Sequence, residues 1–182
     1  MSLSVLLSLF VPSGLTAESK ARRAHETSRI YERLRAALDW DRPEAWTLAD
    51  AIWRESKKYS LDPLLVLAII RVESEFRPRV VSPMGARGLM QIQPEVATRL
   101  AGEAELEKWE GEKSLDDPFV NIKLGIFYLA ALREQFGDVK VALTAYNRGP
   151  GWVQKTIESQ SALPLDYAQK VLSVARRYRD HV

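Results

Sequence analysis

The chain has 182 residues, of which 46% are hydrophobic and 27% charged, and its formal net charge is +2 at pH 7. This length and hydrophobic share predict one folded domain with short extensions and exclude a disordered chain, while the nearly balanced charge gives no reason to expect a nucleic-acid partner. The absence of cysteine excludes disulfides and a thiol nucleophile, and only two distant histidines, His25 and His181, argue against a zinc site or a Ser–His–Asp triad, so we expect no metal and no cofactor.

Residues 1–17 resemble a secretory signal peptide. An apolar run at 5–11 is followed by a Pro-Ser-Gly breaker at 12–14 and by the small residues Thr16 and Ala17. No Lys or Arg precedes the apolar run, and a packed or disordered N-terminal tail is the alternative. The pattern predicts an exported protein of the periplasm or cell envelope.

Residues 18–46 are predicted to form a helical extension of the main domain, which we place at 47–182. Ile30, Leu34 and Leu38 recur at helical spacing in a segment rich in Arg, Ala and Glu. The next helix is predicted to begin at Thr47, where Thr47 and Asp50 match the pattern of a capping box.

The stretch from Asp62 to Phe76 is predicted to contain the central helix of the core. Asp62 can cap the helix and Pro63 suits its first position, and residues 64–70 are all apolar. Glu73 follows on an apolar side near the negative end of the helix dipole, so we expect a raised pKa and a carboxyl group able to act as a general acid. The alternative is an ordinary surface glutamate, which we expect Glu75 to be.

The rest of the chain predicts further helices and at most a small β ribbon. A loop rich in Pro and Gly at 77–88 carries two short apolar–polar alternations, near Val80 and Leu89, that could pair. Asp117-Pro118 repeats the helix start seen at Asp62. Helices are predicted at 118–136, 139–146, 152–158 and 165–178. The fold class is therefore mostly α, a multi-helix domain with little or no β ribbon.

Four separated motifs resemble the lysozyme-like lytic transglycosylases, the family of the soluble lytic transglycosylase (SLT) catalytic domain. They are Glu73-Ser74 at the end of the apolar helix, residues 82–91 ending in Gly-Leu-Met-Gln, residues 145–149, and Tyr167 followed by Val171. The resemblance covers about residues 60–175. It implies a goose-type lysozyme-like fold and non-hydrolytic cleavage of the β-1,4 bond between N-acetylmuramic acid and N-acetylglucosamine.

The implied chemistry uses one glutamate twice. Protonated Glu73 would donate to the glycosidic oxygen, and its carboxylate would then take the proton of the muramyl C6 hydroxyl as that oxygen attacks C1. The product is a 1,6-anhydro sugar, and the reaction needs neither a metal nor a cofactor. The partners implied are peptidoglycan glycan strands. An envelope or secretion-machinery partner is compatible with the small size, and we expect a monomer.

The resemblance also implies substrate-binding residues. They are Ser74, Ser82, Met90, Gln91, Tyr146, Asn147 and Tyr167. Tyr146 and Tyr167 could reach Glu73, whereas turn formation is the alternative for Ser82 and Asn147, and core packing is the alternative for Met90. Trp109 and Trp152 are candidates for stacking on sugar rings.

Two departures from the family pattern put saccharide contacts in doubt. Gln93 stands where many relatives have Met, and the segment before Tyr167 lacks the usual Glu, which Asp166 does not obviously replace.

Two other functions remain open. A muramidase on the same fold would need a second acid, for which Asp116 and Asp117 are available, although Asp117 is better explained as a helix cap. A non-catalytic glycan-binding module of an envelope assembly is the third hypothesis.

Overall fold

The computed structural model describes residues 16–37, 42–104, 106 and 109–180. The predicted signal peptide at 1–17 lies outside the described residues except for its last two positions, as does Leu38 of the predicted extension. The helices run in the order α1 Ala17–Ala37, α2 Arg42–Lys58, α3 Pro63–Glu73, α4 Pro94–Leu100, a 3₁₀ helix Glu112–Asp116, α5 Pro118–Phe136, α6 Val139–Arg148, α7 Pro150–Glu158 and α8 Asp166–Asp180.

The mostly helical fold class is confirmed. Within the described residues, β structure is limited to two isolated antiparallel bridges, Val81 to Arg87 and Arg87 to Ile92, where the sequence predicted a small ribbon. None of the helices in this part of the chain has the length and apolar character that a membrane span requires.

Helix α3 lies at the centre of the core, as its sequence predicted. All its residues from Pro63 to Ile70 are buried. The carboxylate of Asp62 accepts a hydrogen bond from the Leu64 amide at 2.9 Å, which caps the first turn while Pro63 needs no donor. Helix α8 packs along α3, and α2 packs on it as well, so the last turn of α3 is fixed by core packing rather than by its own propensity.

Helix α5 is capped in the same way. The Asp117 side chain accepts hydrogen bonds from the amides of Phe119 and Val120 at 2.8 and 3.4 Å. Helix α6 packs against α5, and α7 packs against α6 in turn. The Asp-Pro pairs therefore predicted both helix starts correctly, because the cap is a local interaction.

Helix α1 shares the core of the predicted main domain. Its buried Ile30 and Leu34 belong to the same apolar cluster as α3. At its outer side, Arg29 and Arg33 each donate from Nη2 to the carbonyl oxygen of Tyr178, at 3.0 and 2.8 Å. These contacts satisfy a free carbonyl in the last turn of α8 and complement its negative end.

The prediction that a helix begins at Thr47 is wrong, because α2 begins at Arg42. Thr47 lies inside the helix, and its hydroxyl donates to the carbonyl oxygen of Pro43 at 2.7 Å. Ala45 is fully buried beside Leu48, so the apolar stripe extends one turn further back than the sequence pattern suggested. The 3₁₀ helix Glu112–Asp116 was also missed.

Candidate active site

Glu73 occupies the last turn of α3, where the apolar core gives way to the surface. The side chain is half-buried, and burial raises the pKa of the Glu73 carboxyl above its ordinary value. A hydrogen bond from Tyr167 and the positive charge of Lys170 act in the opposite direction. The rise in pKa agrees with the prediction, and it favours the protonated form that a general acid needs.

Tyr167 reaches Glu73 from the first turn of α8. Its hydroxyl donates to Oε1 of Glu73 at 2.5 Å. Burial, followed by the neighbouring charge of Glu73, raises the pKa of the Tyr167 phenol well above its usual value. The phenol therefore keeps its proton, and it remains a hydrogen-bond donor in both charge states of the carboxyl group.

Tyr146 lies beside this pair at the end of α6. Burial and then the negative charge of Glu73 raise the pKa of Tyr146 well above its usual value. Its hydroxyl donates to the carbonyl oxygen of Met90 at 2.8 Å, and its ring centroid lies 5.3 Å from that of Tyr128. In this structure Tyr146 thus ties α6 to the Gly88–Gln91 loop, rather than donating to Glu73.

The loop at 80–92 is fixed against α5 by one buried amide side chain. Oδ1 of Asn121 accepts from the Met90 amide at 2.7 Å, and Nδ2 donates to the carbonyl oxygens of Arg87 and Leu115 at 2.8 and 3.0 Å. Gly88 has φ +79°, and a Cβ there would lie 2.1 Å from Nδ2 of Asn121. Only glycine fits this position, which explains how the loop approaches the helix so closely.

Gln91 and Asn147 line a cleft next to Tyr146. Gln91 adopts φ +48°, and its Nε2 donates to the carbonyl oxygens of Val80 and Gly88 at 3.0 and 2.9 Å. These two hydrogen bonds orient the side chain, and Oε1 remains as the side-chain atom of Gln91 that can accept a hydrogen bond. The cleft has a volume of ≈ 230 Å³, below the roughly 300–1,000 Å³ of pockets that enclose a whole drug-sized ligand. Its remaining lining residues include Ile92, Gln93, Val96, Tyr128, Arg148 and Gly149.

The other predicted binding residues are placed differently. Ser74 is 1% exposed, and its hydroxyl donates to the carbonyl oxygen of Ile70 at 3.1 Å. Met90 is fully buried, with its sulfur where a Cβ on Gly125 would stand. Ser82 accepts from the Ala86 amide at 3.0 Å and closes the turn of the loop. The structure thus joins Glu73, Tyr167 and Tyr146, and the side chains of Ser74 and Met90 offer no surface to a ligand.

The two acids available as a second catalytic carboxylate are already engaged. Asp116 accepts two hydrogen bonds from Arg87, Nε to Oδ1 at 3.1 Å and Nη2 to Oδ2 at 2.8 Å. Asp117 caps α5. Over the described residues, no group of three or more His, Asp or Glu is arranged to hold a metal ion.

Sequence reasoning did not assign roles to three residues that shape this site. Asn121 and Arg87 hold the loop, and Lys170 lowers the pKa of Glu73. The sequence signals for Asn121 are its place between apolar neighbours on α5 and the Asn121-Ile122-x-x-Gly125 segment, which fits the family resemblance.

Comparisons with known proteins agree with this geometry. A family model described as "Transglycosylase SLT domain" matches residues 50–168. The soluble lytic murein transglycosylase of Salmonella typhimurium is 38% identical over 119 residues, which cover 63% of this chain and 18% of that protein. The transglycosylase of Enterobacteria phage PRD1 is 36% identical over 123 residues, covering 66% of this chain and 40% of the phage protein.

Solved structures extend the similarity to the fold. The 70 kDa soluble lytic transglycosylase of Escherichia coli superposes with a TM-score of 0.68 at 26% identity, covering 91% of this chain and 31% of that one. An inactive mutant of the lytic transglycosylase Slt from Pseudomonas aeruginosa gives a TM-score of 0.64 at 30% identity, covering 89% and 30%. The chain spans less than half the length of each of these proteins.

Proposed function

The chain belongs to the transglycosylase SLT domain family, and we propose that it cleaves the β-1,4 bond between N-acetylmuramic acid and N-acetylglucosamine in bacterial peptidoglycan. One observation carries the proposal. Glu73 is a half-buried carboxyl group with a raised pKa, and it receives a hydrogen bond from a phenol that keeps its proton.

The first step is proton transfer from Glu73 to the glycosidic oxygen. Because burial favours the protonated form of the carboxyl group, Glu73 can act as a general acid while the bond from C1 of the muramyl residue to that oxygen breaks. Positioned proton transfer of this kind contributes a factor of about 10²–10⁴ to the rate.

The second step uses the carboxylate that the first one leaves. Glu73 takes the proton of the muramyl C6 hydroxyl as that oxygen bonds to C1, which gives a 1,6-anhydro sugar and restores the protonated acid. The Tyr167 hydroxyl stabilises the transient carboxylate, since a hydrogen bond to the charged form favours it. Because the nucleophile belongs to the same sugar, its effective concentration is high, and no water is needed.

The cleft residues would hold the substituents of the sugar. Gln91 and Asn147 both line the cleft, and in this proposal Oε1 of Gln91 accepts from an N-acetyl group while the amide of Asn147 donates to it. Ser82 holds the turn of the loop, and its hydroxyl can still donate to the muramyl region. Ser74 and Met90 would contribute indirectly, by fixing the end of α3 and the loop.

The muramidase alternative has little support from the geometry. A hydrolase of the usual kind places a second carboxylate across the scissile bond. Asp116 is paired with Arg87, and Asp117 caps α5.

Export supports the same function. The signal-peptide pattern at 1–17 would carry the chain to the periplasm or cell envelope, where peptidoglycan lies. One relative, from Actinobacillus pleuropneumoniae, is named membrane-bound lytic murein transglycosylase C. A monomeric state and an envelope or secretion-machinery partner stay predictions.

Digestion of purified sacculi, with mass spectrometry of the released fragments, tests the function. We expect 1,6-anhydro ends from the wild type and none from Glu73→Gln, which keeps the shape of the side chain but cannot transfer its proton. Glu75→Gln is the matched control, because Glu75 is exposed two residues away and has no role in the proposed site.

Each other result points to a different function. Reducing ends would indicate the muramidase, and activity that survives in Glu73→Gln would remove Glu73 from the mechanism. Saccharide binding without any cleavage by the wild type would favour the glycan-binding module.

A further inference from the structure

Trp152 is a large aromatic side chain that the core does not explain. It lies in the first turn of α7, and 43% of its surface is exposed. Trp109, the other candidate for stacking on sugars, is instead half-buried and packs against the core cluster. Exposure of a single aromatic side chain is ordinary, so the neighbours of Trp152 carry the argument.

Arg148 lies between Trp152 and the cleft beside Tyr146. The guanidinium carbon of Arg148 lies 5.7 Å from the centroid of the Trp152 ring, while Arg148 also lines the cleft with Tyr146 and Asn147. Gly149 lies between α6 and α7 with φ +89°, a conformation that turns the chain sharply. Trp152 does not line the cleft itself, and it adjoins the cleft through its contact with Arg148.

The guanidinium of Arg148 is exposed and forms no ion pair with a carboxylate of the described residues. Arg148 lies in the last turn of α6, where its charge complements the negative end of that helix, as Arg177 and Arg179 do at the end of α8. Arg148 has five N–H donors arranged to bind a carboxylate, and its ring contact with Trp152 holds it at the cleft.

We propose that Trp152 and Arg148 form an outer saccharide subsite, in which the indole stacks on a sugar ring and the guanidinium binds a carboxylate of the peptide that the sugar carries. The inference rests on the proposed function, and it names the part of the substrate that the cleft is too small to hold. Sugar rings present apolar C–H faces that stack on indole, and the acidic residues of the wall peptide supply the carboxylates.

Binding to a catalytically inactive protein tests this subsite. Calorimetry on the full chain with Glu73→Gln would use two probes, the neutral hexamer of N-acetylglucosamine and purified glycan strands that carry their peptides. Adding Trp152→Ala should raise Kd for both probes about 2- to 10-fold, the size of an aromatic contact. Trp152→Phe, which keeps an aromatic face, should restore most of the affinity.

Arg148→Gln separates the two parts of the subsite. We expect it to weaken binding of the peptide-bearing strands and to leave the neutral hexamer within twofold of the parent. Trp46→Ala is the matched control, because Trp46 is also 43% exposed but contacts Tyr31 of α1, lining a different depression with Lys20 and Arg23. It should bind both probes like the parent.

Two outcomes would overturn the subsite. Equal affinities for Trp152→Ala and Trp46→Ala would show that Trp152 does not stack on a sugar. An equal loss of affinity for both probes in Arg148→Gln would show that Arg148 does not bind a carboxylate of the peptide. Either result leaves the proposed function intact if Glu73→Gln is inactive on sacculi. Sacculus cleavage by Glu73→Gln would instead refute the proposed function, whatever the affinities.

Discussion

Replacing Tyr167 with Phe removes only the hydroxyl that donates to Oε1 of Glu73. The ring stays in place, so the packing of α8 on α3 should survive. Because the hydroxyl lowers the pKa of Glu73 against the effect of burial, its loss should raise that pKa further. Glu73 then keeps the proton that the acid step needs to higher pH. In the base step, its carboxylate loses the hydrogen bond that stabilises it.

The magnitude follows from the kind of bond that is lost. A hydrogen bond to a charged group is worth about 1.5–3 kcal/mol. If that stabilisation is realised when Glu73 is a carboxylate, its loss lowers kcat by a factor of about 10–150, since each 1.36 kcal/mol is tenfold in rate. This hydrogen bond is already present in the substrate-free protein. We therefore expect a much smaller change in KM than in kcat.

The pH profile of sacculus cleavage distinguishes this role from a structural one. If protonated Glu73 starts the reaction, the rate falls as pH rises through its pKa, and Tyr167→Phe should move this alkaline limb to higher pH while lowering the plateau. Tyr178→Phe is the control, because Tyr178 lies on the same helix but contacts Arg33 rather than Glu73. A lower plateau with the alkaline limb unmoved, or moved to lower pH, would refute the reasoning.

Three further predictions concern stability and the loop. Glu73→Gln should raise Tm at pH 8 and leave it nearly unchanged at pH 4. The pKa of Glu73 is raised by folding, so the stability that its carboxyl contributes is fully present below the unfolded pKa and is lost as pH rises through the folded pKa, whereas Gln stays neutral. A scanning calorimetry series in pH checks this, and an equal gain at both pH values would contradict it. Asn121→Ala removes three hydrogen bonds and should lower the free energy of unfolding by about 3 kcal/mol in urea titrations, whereas a loss under 1 kcal/mol would mean that the loop is held otherwise. Gly88→Ala should destabilise the protein and reduce cleavage of sacculi, while Gly85→Ala, where φ is also positive but no atom lies within 4 Å, should keep the loop seated; equal effects would show that backbone strain alone matters.

Local chemistry explains which parts of the fold the sequence could predict. The helix starts at Asp62 and Asp117 depend on a carboxylate, the next few amides and a proline, all of which are adjacent in the chain. The start of α2 could not be found in this way, because Ala45 has a place in the apolar stripe only once α1 covers it. Thr47, which resembled a cap, is an interior residue whose hydroxyl turns back onto the helix.

In the candidate site, too, local features could be predicted from the sequence and long-range contacts could not. Glu73 could be singled out because its helix is apolar on every side, and its raised pKa follows from that burial. The partner of Tyr146 could not be predicted, since it is the carbonyl oxygen of Met90, and that atom reaches Tyr146 only because Asn121 and Gly88 fix the loop on α5. Contacts of this kind join two segments that are distant in the sequence, and the sequence of neither segment indicates that it contacts the other.

The opposing influences on Glu73 are what allow one carboxyl group to serve both steps of the proposed reaction. Burial alone would favour the protonated acid. Glu73 would then give up its proton slowly, and its carboxylate form would be high in free energy. Tyr167 and Lys170 reduce that cost without removing it, so the two charge states lie closer in free energy than either influence alone would leave them. Because Tyr167 comes from α8, and because Arg29 and Arg33 hold the far end of that helix, this balance depends on the packing of α1, α3 and α8 together as well as on the residues around Glu73.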